Sequence, residues 1–115
     1  MKTILLLMFF LKVSCVNGQT ITPEQAKNYA GQHVKVCGQV GSTFMRKKGN
    51  VFLNFGNANP NQIFSGVIYS KNTKKFDGNP TNLFKGKHVC VSGIIKLYKN
   101  KPEVEVADSG QLIVK

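Results

Sequence analysis

The sequence predicts an all-β fold with short helices, built as a small closed barrel of five strands. Two stretches carry this. Gly31–Gly38 and Gly86–Gly93 both read G-x-H-V-x-V-x-G. Each is a glycine turn followed by a short alternating strand, with Val34 and Val36, or Val89 and Val91, on one side. Gly38 and Gly93 fall inside the strand pattern, where glycine marks a bulge or sharp bend. Two strands that bend at the same place suit a barrel whose sheet must turn corners. The competing arrangement is a sandwich in which the two stretches are unrelated turns.

Residues 1–18 read as a signal peptide and 19–115 as one domain. Lys2 is a positive leader, Ile4–Leu11 is an apolar run too short for a membrane span, and Val16-Asn17-Gly18 suits cleavage before Gln19. A buried N-terminal strand is one alternative. A lipoprotein signal at Cys15 is another, although Lys12 stands where such a signal expects leucine. The expected location is therefore outside the cytoplasm, periplasmic or released.

Thr22-Pro23-Glu24-Gln25 opens a short helix, with Thr22 as N-cap, Gln25 completing a capping box and Gly31 ending it. Ala26 and Tyr29 or Ala30 are expected to face the barrel. The first strand spans His33 to Met45, bent at Gly38 and Gly41. Arg46-Lys47-Lys48-Gly49-Asn50 is a basic hairpin loop. The second strand is Val51–Phe55, followed by a loop of turn formers through Asn61, and the third is Ile63–Tyr69. Lys71–Phe84 reads as irregular with a little helix. The fourth strand is His88–Leu97, Tyr98–Pro102 is a second basic turn, and the fifth strand is Glu103–Val106. Leu112–Val114 is a closing apolar segment.

The chain has 16 basic and 5 acidic residues; without Lys2 and Lys12 the balance is 14 against 5, or +9. A charge that high on a small domain implies an anionic partner or surface: nucleic acid, acidic glycan or lipid. A solubility charge with no partner is the bland alternative. Cys37 and Cys90 remain after cleavage, on the side of their strands opposite the valines. They are open to two readings, a disulfide of an exported protein or two buried thiols. A bridge between neighbouring antiparallel strands would close a loop of about 54 residues, worth about 3–4 kcal/mol.

The residue order adds a resemblance. Val34–Gly38, Phe52–Gly56, Phe64 to Tyr69, Gly86–Gly93 and Lys96–Val104 stand in the order of an OB-fold. The chain resembles the small OB-fold nucleic-acid-binding domains found alone or beside nucleases in exported bacterial proteins, over roughly residues 30–108. The resemblance implies a five-stranded Greek-key barrel in which the first and fourth strands are antiparallel neighbours, which makes the Cys37–Cys90 bridge feasible. It does not identify a ligand, because OB-folds also bind oligosaccharides, small molecules and proteins.

OB-folds hold single strands on the face of strands two and three, between the loops joining strands one to two and four to five. Both loops here are basic: Arg46, Lys47 and Lys48 in one, Lys96, Lys99 and Lys101 in or beside the other. These side chains would neutralise phosphates, though any single lysine is equally read as a solvated surface charge. Alternation leaves Phe52 and Asn54 outward on strand two, and Ser65, Val67 and Tyr69 outward on strand three. Phe52 and Tyr69 are the candidate stacking platforms, with Phe44 and Tyr98 at the edges. A shift of one residue in register would reverse that assignment.

His33, His88, Cys37 and Cys90 make a formal ligand set, but they alternate along strands without metal-site spacing, so no metal is expected. Glu103 and Glu105 share a strand face with nothing nearby to complete an acid–base pair, so no catalytic residue, enzyme activity or cofactor is expected. The leading expectation is a monomeric, exported module that binds single-stranded DNA or RNA with low sequence specificity. A separate nuclease or envelope protein is a further candidate partner. The alternative is an envelope or secreted OB-fold protein that binds a glycan, cation or protein.

Overall fold

The computed structural model describes residues 19–58 and 61–115. The signal peptide read at 1–18, with Cys15, lies outside the described residues, as do residues 59 and 60 of the loop after the second barrel strand. Seven strands form one sheet: β1 (Thr20–Ile21), β2 (His33–Met45), β3 (Val51–Gly56), β4 (Gln62–Ile68), β5 (His88–Tyr98), β6 (Lys101–Glu105) and β7 (Leu112–Val114). The order is β1-β2-β3-β4-β6-β5-β7, and an added β2–β5 pairing closes five of them into a barrel. All neighbours in the barrel are antiparallel except β4 and β6. This is the Greek-key order of an OB-fold.

Alternation along each strand fills the barrel. Val34, Val36 and Val40 of β2 meet Val51, Leu53 and Phe55 of β3, Phe64 and Ile68 of β4, Val89, Val91 and Ile95 of β5, and Val104 of β6. Phe55 and Phe64 are register partners whose rings meet edge to face at 5.2 Å. A short segment, Pro23–Tyr29, packs Pro23 and Ala26 against the barrel. It is a 3-10 helix rather than an α-helix. Its entry follows the capping box, with the Thr22 amide donating to Gln25 Oε1 at 2.9 Å. Tyr29 packs against the core and Ala30 is exposed. Between β4 and β5 come a second 3-10 helix, Ser70–Lys75, and a single helical turn, α1 (Pro80–Leu83), capped by Asn79 Oδ1 accepting from the Thr81 amide at 3.0 Å. Phe76 and Phe84 on either side of α1 meet at 5.9 Å.

Five details differ from the sequence reading. Residues 20–21 add a strand that pairs parallel with β2, Thr20 opposite Lys35 and Ile21 opposite Val36. Of the glycine bends expected at Gly38, Gly41 and Gly93, the one at Gly41 is observed as a register shift between Val40 and Ser42, whereas the β2–β5 ladder runs unbroken from His33 to Gln39. Gly38 and Gly93 serve close approach instead. A Cβ at Gly38 would lie 2.5 Å from Pro23 Cγ, and one at Gly93 2.5 Å from Val104 Cγ1. The third barrel strand ends at Ile68, so Tyr69 follows it and precedes the 3-10 helix. The fifth begins at Lys101, because Lys99 and Asn100 alone make the turn, at φ of 49° and 71°. It also ends at Glu105, leaving the buried Val106 beyond it.

Gly93→Ala is expected to cost about 1–3 kcal/mol, the usual range for overfilling a packed site. A lower urea midpoint at unchanged slope is the readout; an unchanged midpoint contradicts the close-approach account.

Cys37 and Cys90 are register partners on β2 and β5 and are joined as a disulfide. Of the two readings left open by the sequence, the bridge is the one observed. β7 pairs with β5 beside it, setting Ile113 opposite Cys90. Gln111 fastens this last strand: its Oε1 accepts from the Ala107 amide at 2.8 Å, and its Nε2 donates to Ser92 O at 2.8 Å. No helix among the described residues is long and apolar enough to cross a membrane.

Candidate functional site

The strand pairings sort the outer face of the barrel into two rows. In one, Phe44, Phe52 and Val67 stand side by side on β2, β3 and β4. In the other, Ser42, Asn54, Ser65, Glu103 and Lys96 run across β2, β3, β4, β6 and β5. Two basic turns stand beside this face. Arg46–Asn50 is closed by the Arg46 amide donating to Asn50 O at 2.9 Å and the Gly49 amide to Arg46 O at 2.8 Å. Gly49 supplies a φ of +97° there. Asn50 Oδ1 also accepts from the Ser70 amide at 2.9 Å, which ties this turn to the segment after β4. The second turn is Lys99-Asn100, whose two left-handed residues match the twist of a tight hairpin.

A cavity of about 310 Å³ lies between the turns, lined by Phe44, Arg46, Phe52, Asn54, Gln62, Ser65, Tyr98, Lys99, Lys101, Pro102 and Glu103. A second hollow, of about 340 Å³, is lined by Arg46, Asn50, Phe52, Val67, Tyr69, Lys96, Tyr98 and Glu103. The two meet at Arg46, Phe52, Tyr98 and Glu103, so they form one groove. Of the residues singled out from sequence, Phe44, Arg46, Phe52, Asn54, Tyr69, Lys96, Tyr98, Lys99 and Lys101 line it. Lys47 and Lys48 do not; they stand exposed at the tip of the first turn.

The rings and cations interleave. The Arg46 guanidinium lies over the Phe52 ring, 4.9 Å from its centre, and Lys99 Nζ lies 5.5 Å from the centre of Tyr98. Each contact holds a long cation close to an apolar platform. Phe44 and Tyr98 are about half exposed, so their faces are open at the rim.

Asn54 departs from the outward, accessible residue expected. It points to the outer face but is only 1% exposed, held by Ser65 Oγ donating to its Oδ1 at 2.9 Å. It belongs to the floor of the groove. The sequence reading also missed Gln62 and Glu103 as groove residues. Parity put Ser65 on the outer face and Glu103 on the same strand face as Glu105, but the parallel β4–β6 pairing that sets Ser65 and Glu103 together has no local signal in the chain.

Glu103 is the one acid in the groove, and burial pushes its carboxyl above the ordinary carboxylate value, with the Lys96 charge opposing. A folded state that holds a carboxyl proton more tightly than the unfolded chain gains stability as pH falls. The penalty is therefore present in full above the raised value and gone below the ordinary value of 4.5. Glu103→Gln is expected to remove this pH-dependent portion. Urea midpoints of variant and wild type should converge as pH falls from neutral; a constant gap contradicts the account.

His33 and His88 sit at opposite ends of the β2–β5 ladder, facing Ile94 and Gln39, and both are exposed. Among the described residues no group of three or more His, Cys, Asp or Glu could hold a metal ion.

No protein-family model matches the chain, and no curated protein is similar to it. Solved structures do match. Asparaginyl-tRNA synthetase from Pyrococcus horikoshii aligns at 21% identity and a TM-score of 0.53, over 82% of this chain and 22% of the synthetase. The OBody AM1L10, bound to hen egg-white lysozyme, aligns at 18% identity and a TM-score of 0.59, over 89% of this chain and 98% of the OBody. The fold is the OB-fold. The chain spans about a fifth of the synthetase and nearly the whole of the OBody.

Proposed function

We propose that this protein is an exported, non-catalytic OB-fold module that binds single-stranded nucleic acid with low overall sequence specificity. One observation carries the reading: the aromatic row of Phe44 and Phe52 lies on the open barrel face beside the basic Arg46–Asn50 turn, with Tyr98 and Lys99 facing it across one groove. Bases stack on such rings at about 1–3 kcal/mol each, whatever their identity, while lysine and arginine track the backbone. The net charge of +9 that remains without Lys2 and Lys12 supplies long-range attraction. A synthetase of transfer RNA among the structural neighbours adds support at the level of the fold. Export rests on the disulfide, which persists in oxidising compartments, and on the leader-like residues 1–18.

The test is fluorescence anisotropy with a labelled mixed-sequence single-stranded oligonucleotide over a salt series. Tight binding that falls steeply with salt and weakens in Phe52→Ala is the expected result. Salt-steep binding that ignores Phe52 would reduce the protein to a generic polyanion binder, and no binding at low salt would remove the reading. A protein ligand is the second reading, favoured by the OBody, whose similar barrel is bound to lysozyme.

A further inference from the structure

The floor of the groove differs in chemistry from its rim. The rim is cationic, yet the floor, apart from the Asn54 amide that donates to Ser42 Oγ, offers acceptors. Ser65 and Glu103 are 3% and 9% exposed and lie side by side across the β4–β6 pairing. Ser65 spends its one hydroxyl proton on Asn54 Oδ1, leaving only lone pairs toward the groove. The ionised Glu103 carboxylate accepts and cannot donate, and among the described residues it makes no ion pair or side-chain hydrogen bond. Gln62 Oε1, in the wall of the same cavity, is buried without a partner among the described residues.

A phosphate is a poor occupant for such a floor, because it would bring a second anion against a buried carboxylate. A planar group with hydrogen-bond donors fits. The cavity, about 310 Å³, lies at the small end of ligand sites, and Phe52 forms part of its wall. Among nucleobases, guanine alone presents two adjacent donors on its pairing edge, N1–H and the N2 amine. A carboxylate can take both at once in a bidentate, charge-assisted pair. Adenine and cytosine set one amine beside a ring nitrogen lone pair, which would face the second carboxylate oxygen. Uracil and thymine set one N–H between two carbonyls.

We propose that Glu103, beside Ser65 and Gln62, forms a base-reading subsite for guanine within an otherwise sequence-tolerant groove. This rests on the nucleic-acid reading above. Phe52 stacks the base, and Arg46 and Lys101 take the flanking phosphates.

The test uses the full protein and single-stranded thymidine oligonucleotides that differ at one central position: guanosine, inosine, adenosine, cytidine or thymidine. Guanosine is expected to bind tighter than adenosine by about 5- to 150-fold, the range for one good bidentate contact. Inosine keeps N1–H and lacks the N2 amine, so it should lose most of that advantage. Glu103→Gln, nearly the same shape, should abolish the guanosine preference, leaving the guanosine and adenosine oligonucleotides about equal in affinity. Circular dichroism confirms that the variant is folded, and the inosine comparison on wild-type protein does not depend on it. Equal affinity for all five oligonucleotides would overturn the subsite and leave the groove reading intact. A preference that survives Glu103→Gln, or one for cytidine, would overturn the role given to Glu103. Absence of binding to any of them at low salt would remove the groove reading, and the subsite with it.

Discussion

Removing the Cys37–Cys90 bridge is expected to lower folding stability by about 3–4 kcal/mol. The bridge joins the first and fourth strands of the barrel and encloses β3, β4 and the whole connection to β5. In the unfolded chain it closes a loop of 53 residues' separation, and the entropy withheld from that ensemble sets the size of the effect. Small domains hold only about 5–15 kcal/mol in total, so this is a large share. The same loss corresponds to a fall in Tm of roughly 12–30 °C at about 4–8 °C per kcal/mol. Cys37→Ala/Cys90→Ala should melt near fully reduced wild type, and reductant should leave the variant unmoved. Thiol titration confirms complete reduction. A wild-type midpoint unaffected by that reduction would contradict the account, and would mean that the β2–β5 ladder and β7 hold this part of the barrel without it.

The legibility of the chain follows from which forces are local. The bounds of β2, His33–Met45, agree with the sequence reading because alternation and flanking glycines are local signals, whereas Leu112–Val114 reads only as an apolar segment and becomes β7 by pairing with β5. β1 was invisible because two residues carry no period; Thr20 and Ile21 become a strand only when β2 lies beside them. The start of β6 was misplaced because Lys99 and Asn100 look like the middle of a longer loop, although their left-handed backbone closes the hairpin in two residues. Parity placed Phe52, Asn54 and Ser65 on the outer face, and put Glu103 only on the same strand face as Glu105. Parity could not show that Asn54, Ser65 and Glu103 would be covered there, since that depends on register partners brought together by β4–β6 pairing. Tyr69 is a similar case. It was read as an outward strand residue, and it reaches the groove from just beyond the strand end.

In the proposed binding mode the two rows on the barrel face would divide the work between them. The aromatic row is indifferent to base identity, because any base has a face to stack. The polar row is not, because its donors and acceptors are fixed in place by Asn54 and its two serine partners. A groove can thus hold most of a strand by charge and stacking and inspect one position, which separates affinity from selectivity in the way phosphate and base contacts divide elsewhere.

Arg46→Ala/Lys47→Ala/Lys48→Ala is the substitution expected to weaken binding most. Each cation that neutralises a phosphate on a single strand contributes about 0.7 to the slope of log K against log salt, so loss of three should flatten that slope by about 2. At about 0.1 M salt this amounts to roughly 100-fold in affinity, or about 3 kcal/mol, falling equally on every sequence. The three positions are not equivalent in the structure. Arg46 lies over Phe52 in the groove, whereas Lys47 and Lys48 extend from the tip of the turn into solvent. Arg46→Ala alone should therefore both lower the slope and weaken binding in high salt, where stacking on Phe52 persists after electrostatic attraction is screened. Lys47→Ala/Lys48→Ala should change the slope alone and leave high-salt affinity as it was. A salt series on the three variants separates these outcomes. An unchanged slope in the triple variant would remove the first turn from the binding rim and leave Lys96, Lys99 and Lys101 as the cations that meet the strand.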